Sequence, residues 1–227
     1  MVRILFVSGF NTHPKEQKGV DIYSSFRVFF KFSKYKVDYF RYKTTEELFD
    51  VYKRLGDILD TKKHALIITH SMGSCLTMKY INEHQCKRPY IMCMPFIHTS
   101  VITKLVCSIP MLKYLHLPKF CLIPNHNLID GGNIFNDESK LICWKQVHSS
   151  VSDFFIADDK LVETINANNI HILYARNEFI SPIYSSVLSQ INPEQISYVK
   201  GKHVSFSNCY QMRHFFDILT DTMKRSI

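Results

Sequence analysis

An apolar strand that runs straight into a serine flanked by small residues constrains this chain more than anything else in it. In Ala65-Leu66-Ile67-Ile68-Thr69-His70-Ser71-Met72-Gly73-Ser74-Cys75 the buried-strand pattern stops at Ser71, and a helical pattern takes over at once through Leu76, Tyr80 and Ile81. A strand can hand over to a helix within one residue only through a sharp, strained corner. A serine at that corner projects its hydroxyl clear of its own backbone. It also lies at a helix N-terminus, where unpaired N–H groups can receive a developing negative charge.

Two later segments carry the groups such a serine needs. Asn169 to Pro182 reads as a buried strand, through Ile170, Ile172 and Leu173, followed by a turn that carries one acid, Glu178. Ile196 to Phe206 reads as another strand, then a Gly201 turn, then a lone His203 opening a helix. The hydroxyl of serine is a weak nucleophile until a base takes its proton, and imidazole titrates near neutrality. The imidazole in turn needs a carboxylate on its second nitrogen to fix one tautomer and stabilise the imidazolium. Asp153, Asp158 and Asp159 precede the strand that delivers Glu178, in what reads as a helix. The strand ending at Phe96-Ile97-His98 has no carboxylate after it until Asp130. Glu178 is thus the acid placed to meet His203.

These three segments resemble the α/β-hydrolase superfamily, in particular its small serine esterases and lipases. Thr69-His70-Ser71-Met72-Gly73 is similar to the family's nucleophile elbow, with Thr69 where Gly is usual. Ala175 to Pro182 is similar to its late acid turn, with Ala175 for Gly and Glu178 for Asp. Gly201-Lys202-His203 is similar to its Gly-x-His segment, and the order Ser71, Glu178, His203 is the family's order. The resemblance implies a three-layer α/β fold: a mostly parallel sheet of about six strands, with helices on both faces. It further implies an oxyanion hole. Val2 to Val7 reads as the first strand, and the Ser8-Gly9-Phe10 turn after it resembles the family's His-Gly-x loop, with Ser8 for His. By that resemblance the backbone N–H groups of Phe10 and Met72 face the carbonyl oxygen under attack, a placement typically worth ~3–4 kcal/mol per donor in the transition state.

The 227 residues suit one α/β domain spanning 1–227. Met1 leads directly into strand residues, so no secretory leader is expected, and no apolar run approaches the ~20 residues that cross a bilayer. Seven cysteines without Cys-x-x-Cys spacing suggest neither zinc nor a disulfide frame, and the cytoplasm is the expected compartment. The formal charge of +8 is dispersed, with small knots at Lys62-Lys63, Lys87-Arg88 and Lys224-Arg225. No nucleic-acid module is recognisable, so no nucleic acid is expected as a partner. Peripheral contact with an anionic membrane surface remains open.

Along the rest of the chain, Val20 to Phe32 has helical spacing and Tyr35 to Tyr42 alternates as a strand near a sheet edge. Thr44-Thr45-Glu46-Glu47 has the spacing of a capping box opening a helix through Leu48, Tyr52, Leu55 and Leu59. Tyr90 to Phe96 reads as a buried strand. Residues 98–148 exceed the minimal scaffold: Val101, Ile102, Leu105, Val106 and Ile109 suggest a short apolar helix, then Pro110, Pro118, Pro124 and Gly131-Gly132 punctuate the chain. This stretch is either a small lid over an acyl-binding site or a segment packed on the sheet. Trp144 and Phe154-Phe155 read as core, and His13, His70 and His98 fall near the site without an assigned role. The expected activity is cleavage of a small-molecule carboxylic ester or thioester, lipid-like substrates included, through an acyl-enzyme, with Ser71, Glu178 and His203 as catalytic residues and no metal or cofactor. Two alternatives are an amidase or peptidase using the same residues and a non-catalytic binding protein that keeps the fold.

Overall fold

In the computed structural model, residues 2–10, 23–84, 87–99, 101–114, 116–118, 141–143, 145–178, 181–204, 206 and 209–227 are described. Six strands build the central sheet: β1 (Val2–Val7), β2 (Tyr35–Phe40), β3 (Leu66–His70), β4 (Tyr90–Cys93), β7 (Ile170–Ala175) and β8 (Ile196–Val199). Their spatial order is β2-β1-β3-β4-β7-β8, and every pairing is parallel. A fully parallel sheet has to be covered on both faces, which is why its central strands read as continuous apolar runs rather than alternating ones.

The period-2 geometry of the strands sorts that apolar content into two cores. Leu5, Val7, Ile67, Met92, Ile170 and Ile172 point to one face. There they meet α2 (Leu48–Thr61), α3 (Met72–His84) and α6 (Asp158–Ala167). Ile4, Phe6, Leu66, Ile68, Ile91 and Leu173 point to the other, against α1 (Ser24–Lys31) and α8 (Cys209–Ser226). The stripe Leu48, Val51, Leu55 and Leu59 docks α2. The second core is aromatic: Phe26 packs within 4.7 Å, centroid to centroid, of both Phe6 and Phe206 and also touches Phe215 and Phe216. Truncating a buried Phe of this kind costs about 3–5 kcal/mol.

Several boundaries differ from the sequence reading. α1 begins at Ser24, and Val20 to Ile22 lie outside the described residues. β2 ends at Phe40 and β4 at Cys93. The capping box does not form. The N-cap of α2 is Glu47, with no side-chain cap bond, while Glu46 Oε1 instead accepts from Lys43 N–H and closes a turn one residue earlier. Gln146 donates to the carbonyls of Lys43 and Glu46 and pins that turn, a long-range partner invisible to local spacing. His203 does not open a helix: it sits on a turn, with α8 starting at Cys209.

Between β4 and α6 the chain forms α4 (Val101–Cys107), a 3-10 turn (Pro110–Tyr114), an antiparallel pair of β5 (His116–Pro118) with β6 (Leu141–Cys143), α5 (Lys145–Ser149) and a π turn (Ser150–Phe154). Asn125 to Gly132 and Trp144 lie outside the described residues. Phe154 is core, as expected, and Phe155 packs against it half-buried. Short α7 (Ser185–Leu188) lies between β7 and β8. Among the described residues no helix is long and apolar enough to cross a membrane.

Candidate active site

Ser8, Ser71, Glu178 and His203 all follow strands of the sheet at their carboxyl ends, which in a parallel sheet lie on one side. Ser71 has φ of +52°, the left-handed region that costs a non-glycine residue on the order of 1 kcal/mol or more. The corner is held by Ser71 N–H on the carbonyl of Cys93 (3.2 Å) and by Phe96 N–H on the carbonyl of Ser71 (3.0 Å). α3 starts at the next residue. Gly73 is required by close approach: a Cβ there would lie 2.6 Å from the Ser8 carbonyl and 2.7 Å from that of Val7.

Thr69 is accommodated chemically. It is fully buried, and its hydroxyl lies 2.6 Å from Ser74 Oγ, so the polar atom it brings into the corner has a partner in the first turn of α3. Ser8 is likewise buried, donating through Oγ to the carbonyl of Phe40 at 3.0 Å, which ties the β1 loop to the end of β2.

His203 Nδ1 is 2.9 Å from Glu178 Oε2, and His203 Nε2 is 2.9 Å from Ser71 Oγ. A carboxylate only accepts, so Nδ1 carries the proton and the bare Nε2 faces the serine hydroxyl. The carboxylate is buried, and its other oxygen accepts from Ser181 N–H at 3.0 Å. Ser181 was not legible as a site residue. Its hydroxyl donates to the carbonyl of Met94 and lies 3.4 Å from His203 Nδ1. The two loops are joined by Asn177 N–H on the carbonyl of Gly201 (3.2 Å), a residue whose φ of +106° suits glycine. Asp158 pairs with His98 at 3.0 Å and Asp153 accepts from Ser152, so neither competes for His203.

The N–H groups of Phe10 and Met72 have no acceptor among the described residues. His70 is buried against His203, with ring centroids 5.1 Å apart, while His13 lies outside the described residues. Burial pushes the thiols of Cys75 and Cys93 far up, so both stay un-ionised. Among the described residues no group of three or more His, Cys, Asp or Glu is arranged to hold a metal ion.

No protein-family model and no curated protein matches the chain by sequence. Comparison of the fold does find relatives. A monoacylglycerol lipase of Paleococcus ferrophilus superposes with a TM-score of 0.70 at 13% identity, over 96% of this chain and 92% of that one. A structure described with the carboxylesterases of the thaumarchaeon Nitrososphaera gargenis gives 0.60 at 15% identity, over 99% and 92%. A structure from the metagenome-derived lipolytic enzymes LipS and LipT gives 0.61 at 11% identity, over 98% and 94%. With the strand order and the left-handed serine corner, these superpositions give one conclusion: the chain has the fold of the α/β-hydrolase superfamily.

Proposed function

We propose that the protein is a serine hydrolase that cleaves a carboxylic ester or thioester. The observation that supports this most is the continuous chain from Glu178 through His203 to Ser71, two contacts of 2.9 Å ending on a serine held at positive φ. In this reading Ser71 Oγ attacks the acyl carbon while His203 Nε2 takes the hydroxyl proton. The C–O or C–S bond to the leaving group then breaks, and the imidazolium returns the proton to the departing alcohol or thiol. Water attacks the acyl-enzyme by the same relay and releases the acid and free Ser71. Glu178 holds the tautomer that leaves Nε2 bare, and the unpaired N–H groups of Phe10 and Met72 receive the charge on the carbonyl oxygen.

A lipid-like substrate fits the segment at 98–148, which we read as a lid on a single domain. Leu105, Val106, Ile109, Met111 and Tyr114 are all exposed there, a concentration of apolar surface unusual for a fully packed insertion. Cys75, Cys93 and Cys209, free thiols among the described residues, fit a reducing compartment such as the cytoplasm. The departures from the family pattern at Thr69, Ser8 and Glu178 weigh little against catalysis, since these residues are each buried and hydrogen-bonded. The test is labelling by a fluorophosphonate, with Ser71→Ala as control, followed by turnover of p-nitrophenyl esters of graded chain length. Labelling lost in the variant and a preference for longer acyl chains support the reading; an unlabelled, inactive wild type sinks it, and cleavage of anilides in place of esters would move the substrate to amides.

A further inference from the structure

A second run of hydrogen bonds crosses the site behind the Glu178–His203–Ser71 chain. Gly9 N–H donates to Tyr23 Oη at 2.8 Å, Tyr23 Oη lies 2.8 Å from His70 Nδ1, and His70 Nε2 lies 3.1 Å from the backbone carbonyl of His203. A carbonyl only accepts, so Nε2 carries the proton. Burial, then the neighbouring His203, keeps the His70 ring neutral, its pKa pushed down to about 3 against a weaker opposing effect of its bond to the His203 backbone. Nδ1 is therefore bare and accepts from the Tyr23 hydroxyl, which in turn accepts from Gly9. Along this run all donation goes from the β1 loop to the His203 loop.

The positions joined in this way matter. Gly9 precedes Phe10, whose N–H is one of the two unpaired donors, and glycine is needed there because a Cβ would sit 2.9 Å from Ser71 Cβ and 3.2 Å from His70 Nδ1. Glycine leaves that loop conformationally free unless something holds it. At the other end, Glu178 fixes the imidazole of His203, whereas His70 fixes its main chain. Phe206 closes over the run, with ring centroids 5.2 Å from His70 and 5.7 Å from Tyr23.

We propose that His70, through Tyr23, is a positioning residue that holds the Ser8–Gly9 peptide, one residue before the Phe10 N–H, and the His203 backbone at one fixed separation across Ser71. This rests on the serine hydrolase reading above. Geometry of this kind is catalytic currency, since a displacement of about 1 Å at a reacting group can cost on the order of 100-fold in rate.

Three variants break the run at different points. Tyr23→Phe deletes one oxygen and keeps the ring, His70→Gln keeps a donor within reach of His203 but loses the acceptor, and His70→Asn does the reverse. Turnover of a p-nitrophenyl ester is measured per site titrated by fluorophosphonate, alongside amide exchange at Gly9. The expected result is a fall in kcat of about tenfold or more with KM within about two-fold, and a Tyr23→Phe/His70→Gln pair no worse than its worse member. Exchange at Gly9 should quicken in Tyr23→Phe and in His70→Gln. Unchanged kcat per titrated site, with only melting temperature or the titratable fraction lowered, would overturn the proposal and reduce His70 to packing. A wild type that neither labels nor turns over would instead sink the hydrolase reading and this role with it. Tyr23→Phe keeps the test decisive even if the His70 variants fail to fold.

Discussion

Thr69 Oγ1 and Ser74 Oγ meet at 2.6 Å inside the serine corner, across the strand-to-helix turn that Ser71 occupies. The pair replaces the bare backbone that glycine would give at position 69 by a buried, mutually satisfied contact. A buried hydroxyl stripped of its partner costs ~1–3 kcal/mol, whereas removing both partners can be nearly neutral. Thr69→Val and Ser74→Ala should each lower stability by about that amount, and the double variant by less than their sum. Chemical denaturation of the four proteins checks this; strict additivity would mean that the contact contributes nothing.

Deleting the hydroxyl of Ser71 should leave the fold intact and remove the atom proposed to react. Ser71→Ala is expected to lose turnover by up to ~10⁶-fold with an unchanged melting temperature. Retention of a tenth of the activity would end the serine mechanism.

Glu178 serves two donors at once, His203 Nδ1–H and Ser181 N–H. An amide presents one accepting oxygen, so Glu178→Gln must leave one donor facing an NH₂ group. Turnover should fall by about 10⁴-fold, less than for Ser71→Ala, while Glu178→Asp keeps charge with shorter reach and retains partial activity. Steady-state kinetics on the pair decides the matter, and a fully active Glu178→Gln protein would show that another group orients His203.

Adding one methyl at Gly73 presses it into two carbonyls of the β1 loop, at 2.6 and 2.7 Å. Backbone cannot yield as a side chain tip can, so Gly73→Ala is expected to cost ~1–3 kcal/mol and to push the Ser8–Phe10 loop away from Met72. A melting temperature lowered by roughly 2–4 °C per kcal/mol, with a lower kcat, is the expected outcome.

Two imidazoles make stability depend on pH. Burial lowers His70 to about 3; burial and then Arg225 lower His171 to about 4. Both therefore stay neutral in the fold while the unfolded chain protonates below ~6.5. The unfolded state binds more protons in that window, so stability is complete above about 6.5 and erodes as pH falls toward 4, by about 1.4 kcal/mol per pH unit for each ring. Denaturation midpoints between pH 7 and 4 test this, and the slope should lessen in His171→Gln.

The parts legible in the sequence are those encoded locally. A buried strand ending on Ser71, the acid turn at Glu178 and the Gly201 turn before His203 each advertise themselves within a dozen residues, and their order carries the family resemblance. Parallel pairing throughout follows from the same alternation of strand and helix. What the sequence hid depends on distant partners. Nothing around Tyr23 marks it as the bridge from Gly9 to His70, and Ser181 is an ordinary residue before a proline until Glu178 needs a donor. The capping spacing at Thr44 to Glu47 misled because Gln146, about a hundred positions later, fixes that turn in another shape.

β8 is the terminal strand of the sheet, paired with β7 alone, and it delivers His203. Ser71, by contrast, follows β3, which has neighbours on both sides. In the proposed reading the base thus hangs on the margin of the sheet while the nucleophile sits in its middle. Opening of an edge element costs less free energy than global unfolding. Warming should therefore silence the proposed activity through partial, reversible fraying of β8 and its loop before the core melts, so that the temperature at which that activity is lost reports on the weakest foldon rather than on the whole chain.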